Sequence, residues 1–271
     1  MAHFKEAMSK QKGIIKLEGN LGGISFYKSS GQDLARVATG PSKERIAKDP
    51  AFKRTRENNK EFGGSAKTGK ALRLAMGGLM QTMGGARVTA QLTALFKAIN
   101  LKATGLRGRR PIKLSTNKTM LKNFEFNSAV SFNSMFSAPF TVAINTPRNE
   151  ATISIADFLP DNVINAPSGA THFKLVAAIG IVSDYNYDPT INGYQAAQPA
   201  QDTAGNTVSS AQLPLDAATG AITLVPTLAS LGTINAACSS VVTLGIEFYQ
   251  LVDTQYYLFA QDNAMKVVNV F

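Results

Sequence analysis

The sequence predicts an α+β fold: a small N-terminal β-meander and a basic helical region, followed by an all-β sandwich or jelly-roll-like domain. Three observations carry this expectation. Apolar residues recur every three or four positions through residues 42–101 and every second position beyond Phe124. The charge changes sign at the same place. Residues 1–123 hold 25 Lys and Arg against 7 Asp and Glu, while residues 124–271 hold 3 against 11, within a total net charge of +10. The first forty residues carry neither long pattern, only short apolar runs between glycine-rich turns. Two domains follow, 1–123 and 124–271.

Residues 14–40 read as the meander. Ile14-Ile15-Lys16-Leu17, Ile24-Ser25-Phe26-Tyr27 and Leu34-Ala35-Arg36-Val37 are strand-like, separated by Gly19 to Gly23 and by Ser29-Ser30-Gly31. Such a small sheet is marginal by itself, so a partner surface is expected. Ser42 is placed to cap a short helix ending near Ala47. Asp49-Pro50 joins a capping residue to a proline at the first helical position, starting a second helix near Ala51. A third helix is predicted over Ser65–Met83, with Leu72, Ala75, Met76, Leu79 and Met83 as its apolar stripe. A fourth runs from Arg87 to Leu101 on Val88, Leu92, Leu95, Phe96 and Ile99. Gly84-Gly85 reads as a turn, and Gly77-Gly78 as a kink or a close helix contact.

Residues 102–123 contain no acid and read as a basic, extended linker. Beyond them, period-two alternation predicts strands at Phe124–Phe126, Val130–Phe132, Phe140–Ile144 and Ile153–Ile155. Further strands are predicted at Phe173–Val182, Ala221–Val225 and Lys266–Phe271, and Val241–Leu251 with Tyr256–Phe259 reads as a long hairpin. Asp184–Asn206 reads as a long polar loop.

Signals of catalysis are thin. Trp is absent, and the histidines are His3 and His172. Motifs for a nucleophile elbow, a phosphate-binding loop or a zinc-binding helix are missing. Asp184-x-Asn186-x-Asp188 opens like a calcium loop, but Pro189 stands where the turn needs Gly and Gln195 where a bidentate Glu is needed. Cys238, the lone cysteine, makes no disulfide framework and reads as a core or turn residue. No cofactor and no metal is expected. Residues 1–20 carry no apolar signal segment, and no run reaches the length of a membrane helix. Synthesis in the cytoplasm is expected, with release by lysis or leaderless export open.

The strings Lys12-Gly13-Ile14-Ile15-Lys16-Leu17-Glu18-Gly19, Ile24-Ser25-Phe26-Tyr27-Lys28 and Leu34-Ala35-Arg36 carry a resemblance, as does Asp49-Pro50-Ala51-Phe52-Lys53-Arg54-Thr55-Arg56-Glu57-Asn58. Over its first third, the chain resembles uncharacterised proteins widespread in Bacteroidota. The resemblance implies a bacterial source and a variable β region after the shared part. It implies no activity and no site residues.

The expected function is a non-enzymatic structural protein that self-assembles into a filament, shell or surface array through opposite-charge and β-mediated contacts. The alternative is a nucleic-acid-binding protein using the basic half. A third reading, a carbohydrate- or cell-surface-binding β-sandwich, rests on fold analogy. The candidate contact residues, to subunit or nucleic acid, are Lys53, Arg54, Arg56, Lys60, Lys67, Lys70 and Arg73 on helices. Arg107, Arg109, Arg110 and Lys113 join them from the linker.

Overall fold

Two of the three apolar runs, around Ile24 and Leu34, form strands of an antiparallel meander at the start of the chain, while Ile14-Ile15-Lys16-Leu17, read as a strand, is irregular chain between the first two strands. The meander's strands are β1 (Ser9–Lys10), β2 (Gly19–Leu21), β3 (Ile24–Ser29) and β4 (Gln32–Val37), in the order β1-β4-β3-β2. Gly22 and Gly23 both take positive φ, 57° and 79°, as a tight hairpin turn between β2 and β3 requires. The computed structural model describes residues 9–29, 31–37 and 40–271. His3 and Ser30 lie outside the described residues. The chain divides into two units, Met1–Arg56 and Glu57–Phe271.

The helix signals are met where the chain chemistry placed them. Ser42 accepts from the Arg45 N–H at 3.2 Å and starts α1 (Lys43–Lys48). Asp49 accepts from the Ala51 N–H at 2.9 Å, with Pro50 in the first turn. The two helices expected to start near Ala51 and Ser65 are instead one, the 23-residue α2 (Lys53–Ala75). Gly63 and Gly64 do not interrupt it. It ends where Gly77 takes φ 55°, a left-handed helix stop. The short α3 (Leu79–Thr82) and α4 (Val88–Lys102) follow.

Beyond Asn123 come α5 (Phe132–Met135), β5 (Phe140–Ile144), β6 (Ala151–Ile155), α6 (Pro160–Val163), β7 (His172–Ser183), β8 (Tyr185–Asp188) and β9 (Gly193–Ala196). They are followed by β10 (Gly205–Ser209), β11 (Leu213–Pro214), β12 (Ile222–Leu224), β13 (Cys238–Val252), β14 (Gln255–Leu258) and β15 (Ala264–Val270). The fold is α+β, built on a large curled antiparallel sheet ordered β10-β7-β13-β14, with β15 on β13 and β11 on β7. β7 and β13 pair over twelve residues, from Ser183↔Cys238 to His172↔Tyr249. A smaller sheet is ordered β12-β6-β5. The stretch read as a long polar loop contains the β8–β9 hairpin. The strand expected at Val130–Phe132 is irregular chain entering α5.

β7 explains the layering. Its residues are apolar on both faces, so both faces need cover. Val176, Ala178 and Val182 join Leu72, Met76, Leu92 and Phe96 of the helices in one core. Phe173, Leu175, Ala177, Ile179 and Ile181 join Ile153, Ile155 and Leu224 of the small sheet in another. The helices reach the sheet at Gly180, where a Cβ would run into Met76 and lie 2.8 Å from the Ala75 Cβ.

The compact units do not divide where the two expected domains, 1–123 and 124–271, meet. The division between units falls at Arg56/Glu57, and the helices after it share a core with the β half. Residues 102–123 are likewise no free linker. Ile112, Leu114 and Leu121 are fully buried, and Ile112 exchanges backbone hydrogen bonds with Tyr185 at 2.8 and 2.9 Å. Among the described residues, no helix is long and apolar enough to cross a membrane.

Candidate functional site

The candidate residues do not form one basic patch. Arg110 is drawn inward by Glu61, the first fully buried residue of the described chain. Its guanidinium grips the Glu61 carboxylate with two bonds, Nε to Oε1 at 2.8 Å and Nη2 to Oε2 at 2.7 Å. Lys97 adds an ammonium at 2.5 Å, and the Gly108 N–H donates at 2.8 Å. Burial pushes the Glu61 carboxyl up. The hydrogen bonds from Arg110, Lys97 and Gly108 outweigh that and hold its pKa at about 2. The Arg110 carbonyl in turn accepts from Asn100 at 2.7 Å and from the Tyr194 hydroxyl at 2.8 Å. Tyr194 lies flat on α2 because Gly64 leaves the space. A Cβ there would sit 2.5 Å from the ring.

The other linker cations are placed separately. Arg107 is exposed and stands 4.0 Å from Glu57. Arg109 lies over one ring, Tyr187, at 5.2 Å, and Lys60 lies 5.5 Å from the same centroid. Lys113 is exposed and helps hold the nearby Asp184 carboxylate charged, against burial that pushes its pKa up. Residues 102–123 hold no acid of their own, and the acids that reach them, Glu57 and Glu61, come from α2.

Along the helices, Arg56 donates to the carbonyls of Ile46 at 2.7 Å and Asp49 at 2.8 Å, tying α1 to the next turn. Lys53 and Arg54 are exposed, and Arg73 is half-buried. Lys67 and Lys70 stand on the rim of an open cleft of about 470 Å³ with Leu74, Tyr185, Gln195 and Asp202. Lys67 donates to the Tyr194 carbonyl at 2.9 Å. The Tyr185 hydroxyl donates to Asp202 at 2.5 Å. The cleft's main polar groups are therefore already paired with protein atoms.

The calcium-like spacing does not converge. Asp184 accepts from the Ser115 N–H at 3.0 Å and from its hydroxyl at 2.6 Å, whereas Asp188 turns to Thr190 and Gln195. Among the described residues, no group of three His, Cys, Asp or Glu is placed to hold a metal ion. His172 opens β7, with its ring on Tyr256 at 5.0 Å. Cys238 is buried at the start of β13, and burial pushes its thiol pKa up.

A different surface stands out in the first unit, whose strands have no buried face. Among the described residues none before Glu61 is buried. Ile14, Ile15, Leu17, Leu21, Ile24 and Val37 are between 40% and 103% exposed. Sequence reading foresaw a meander in want of support but missed Glu61, whose partner Arg110 is 49 residues away. Such a separation leaves no periodic signal. The chain matches no protein-family model, no curated protein and no solved structure.

Proposed function

We propose that the protein is a non-enzymatic structural subunit that self-assembles into a homopolymer, a filament, shell or surface array. The observation that carries this reading is the meander, with six large aliphatic side chains exposed and no buried residue beneath them. Burying one such side chain stabilises by about 1.5–3 kcal/mol, which the meander alone forgoes. A second copy is the occupant favoured by charge. The meander carries exposed Lys10, Lys12, Lys28 and Arg36, while the β half exposes Asp157, Asp161, Asp216 and Asp253. A contact between unlike patches on successive copies propagates instead of closing on itself.

The test is light scattering and negative-stain imaging of the full chain, at low and high salt, with and without DNA. Ordered particles far larger than 28.9 kDa without DNA are expected. They should disperse in Ile14→Asn/Ile15→Asn. A monomer at every concentration overturns the reading.

Nucleic-acid binding is the second reading, supported by Lys53, Lys67 and Lys70, exposed along α2 and in no salt bridge among the described residues. Particles that form only with DNA, and weaken steeply with salt, would promote it.

A further inference from the structure

We propose that Lys266 and Asn133 react with each other to form an intramolecular isopeptide bond, locking β15 to the turn that carries α5. Lys266 lies in β15 and is only 9% exposed. Its Nζ donates to Oδ1 of Asn133 at 2.5 Å, which brings the amine against the side-chain amide it would attack. The Phe132 and Phe140 rings flank the ammonium at 5.4 and 5.7 Å.

A carboxylate on the same face, outside salt-bridge contact with Nζ in this structure, would move the protons on closing to it. Glu125 is the antiparallel bridge partner of Lys266, so the two side chains leave the same face, with Cβ atoms about 4.5–5.5 Å apart. The Glu125 carboxylate accepts from the Phe132 N–H at 3.1 Å and from the Ser131 hydroxyl at 3.1 Å. That places it at the start of α5, one residue ahead of Asn133.

Lys266 also differs from Lys97, another lysine beside an asparagine. Lys97 lies 3.1 Å from Asn100 Oδ1, but its ammonium is engaged by the Glu61 carboxylate at 2.5 Å. Lys266 has no salt bridge among the described residues, and burial lowers its pKa against the pull of Glu125. A nucleophilic lysine needs that neutral form.

The reaction balances without any co-reactant. Glu125 accepts a proton from the Lys266 ammonium, and the freed Nζ attacks Cγ of Asn133. The Nζ–Cγ bond forms and the Cγ–Nδ2 bond breaks. The two protons that Nζ loses both end on Nδ2, which departs as ammonium. Asn133 is exposed, so the leaving group has a way out. Nothing is oxidised or reduced, and the reaction does not depend on assembly.

The experiment is intact-mass spectrometry of the full chain, followed by peptide mapping. The wild type is expected to be lighter than its sequence by one ammonia and to give a branched peptide joining residues 133 and 266. Asn133→Ala, an exposed change compatible with folding, and Lys266→Arg should both show the full mass. Asn133→Asp should lose one water instead. Glu125→Gln should keep the full mass with an unchanged circular dichroism spectrum, since Gln preserves an acceptor for the Phe132 N–H but carries no proton. Glu125→Asp should restore part of the reaction. A wild type at full mass overturns the proposal. So does an ammonia loss that survives in Asn133→Ala, as a succinimide at Asn192-Gly193 would produce.

Discussion

The meander and strand β7 are both rich in aliphatic residues, yet their fates are opposite. Ile179 and Ile181 in β7 are fully buried, while Leu21 in β2 and Val37 in β4 are 67% and 62% exposed. Hydrophobicity does not separate them. Cover does. β7 has helices on one face and a second sheet on the other, and each of its apolar residues has neighbours to displace water. The meander's strands have hydrogen-bonded partners in their own sheet but no buried residue among the described residues of their own unit. An apolar strand is thus a demand for a surface, and within one unit of this chain that demand goes unmet.

The hardest test of this contrast removes β7's cover. A fragment of residues 124–271 would bare Val176, Ala178, Val182, Val241, Met265 and Val267 on the helix-facing side. It is expected to lose cooperative unfolding altogether in urea followed by circular dichroism. A sharp transition would show that the sheet is self-sufficient and that the helices are an addition.

Next in size is the buried ion knot. Glu61→Gln leaves Arg110 and Lys97 without their carboxylate and should cost about 3–5 kcal/mol in chemical denaturation. The pH dependence sharpens the point. Glu61 titrates near 2 in the folded chain against an ordinary 4.5. Its contribution is therefore full above 4.5 and is lost as the pH falls from there toward 2, about 3 kcal/mol in all. The Gln variant should lack this acid-dependent loss.

A smaller effect is expected at the helix–sheet contact. Gly180→Ala puts a Cβ into the space held by Met76 and Ala75 and should cost about 1–3 kcal/mol. The smallest is in the meander, where Ile14→Asn/Ile15→Asn should change the unassembled chain's unfolding free energy by no more than about 0.5 kcal/mol. A large destabilisation of the unassembled chain would mean that these side chains already have cover.

Much of the fold was legible. The Ser42 and Asp49 caps, the stripe from Leu72 to Met83 and the long hairpin after Val241 came from local rules and were met by the structure. Two helices became one because a glycine pair such as Gly63-Gly64 costs helix stability locally, while Tyr194 packing over Gly64 depends on contacts distant in sequence. The candidate site was legible only as composition. Acid-free sequence around Arg110 reads as free charge, and Glu61 neutralises it from another element.

The sequence by itself determined the Ser42 and Asp49 caps, the long strands β7 and β13, the sign of the charge in each half, and the unbroken apolar run that makes a two-sided strand of β7. Those properties depend on neighbours within a few residues. Only the tertiary structure decided which charges stay available and which side chains meet. Arg110 is sequestered by Glu61, Lys53 and Lys70 stay exposed, and Lys266 is set against Asn133 across 133 residues of chain. Pairings at that range depend on how layers pack, and no local period encodes them.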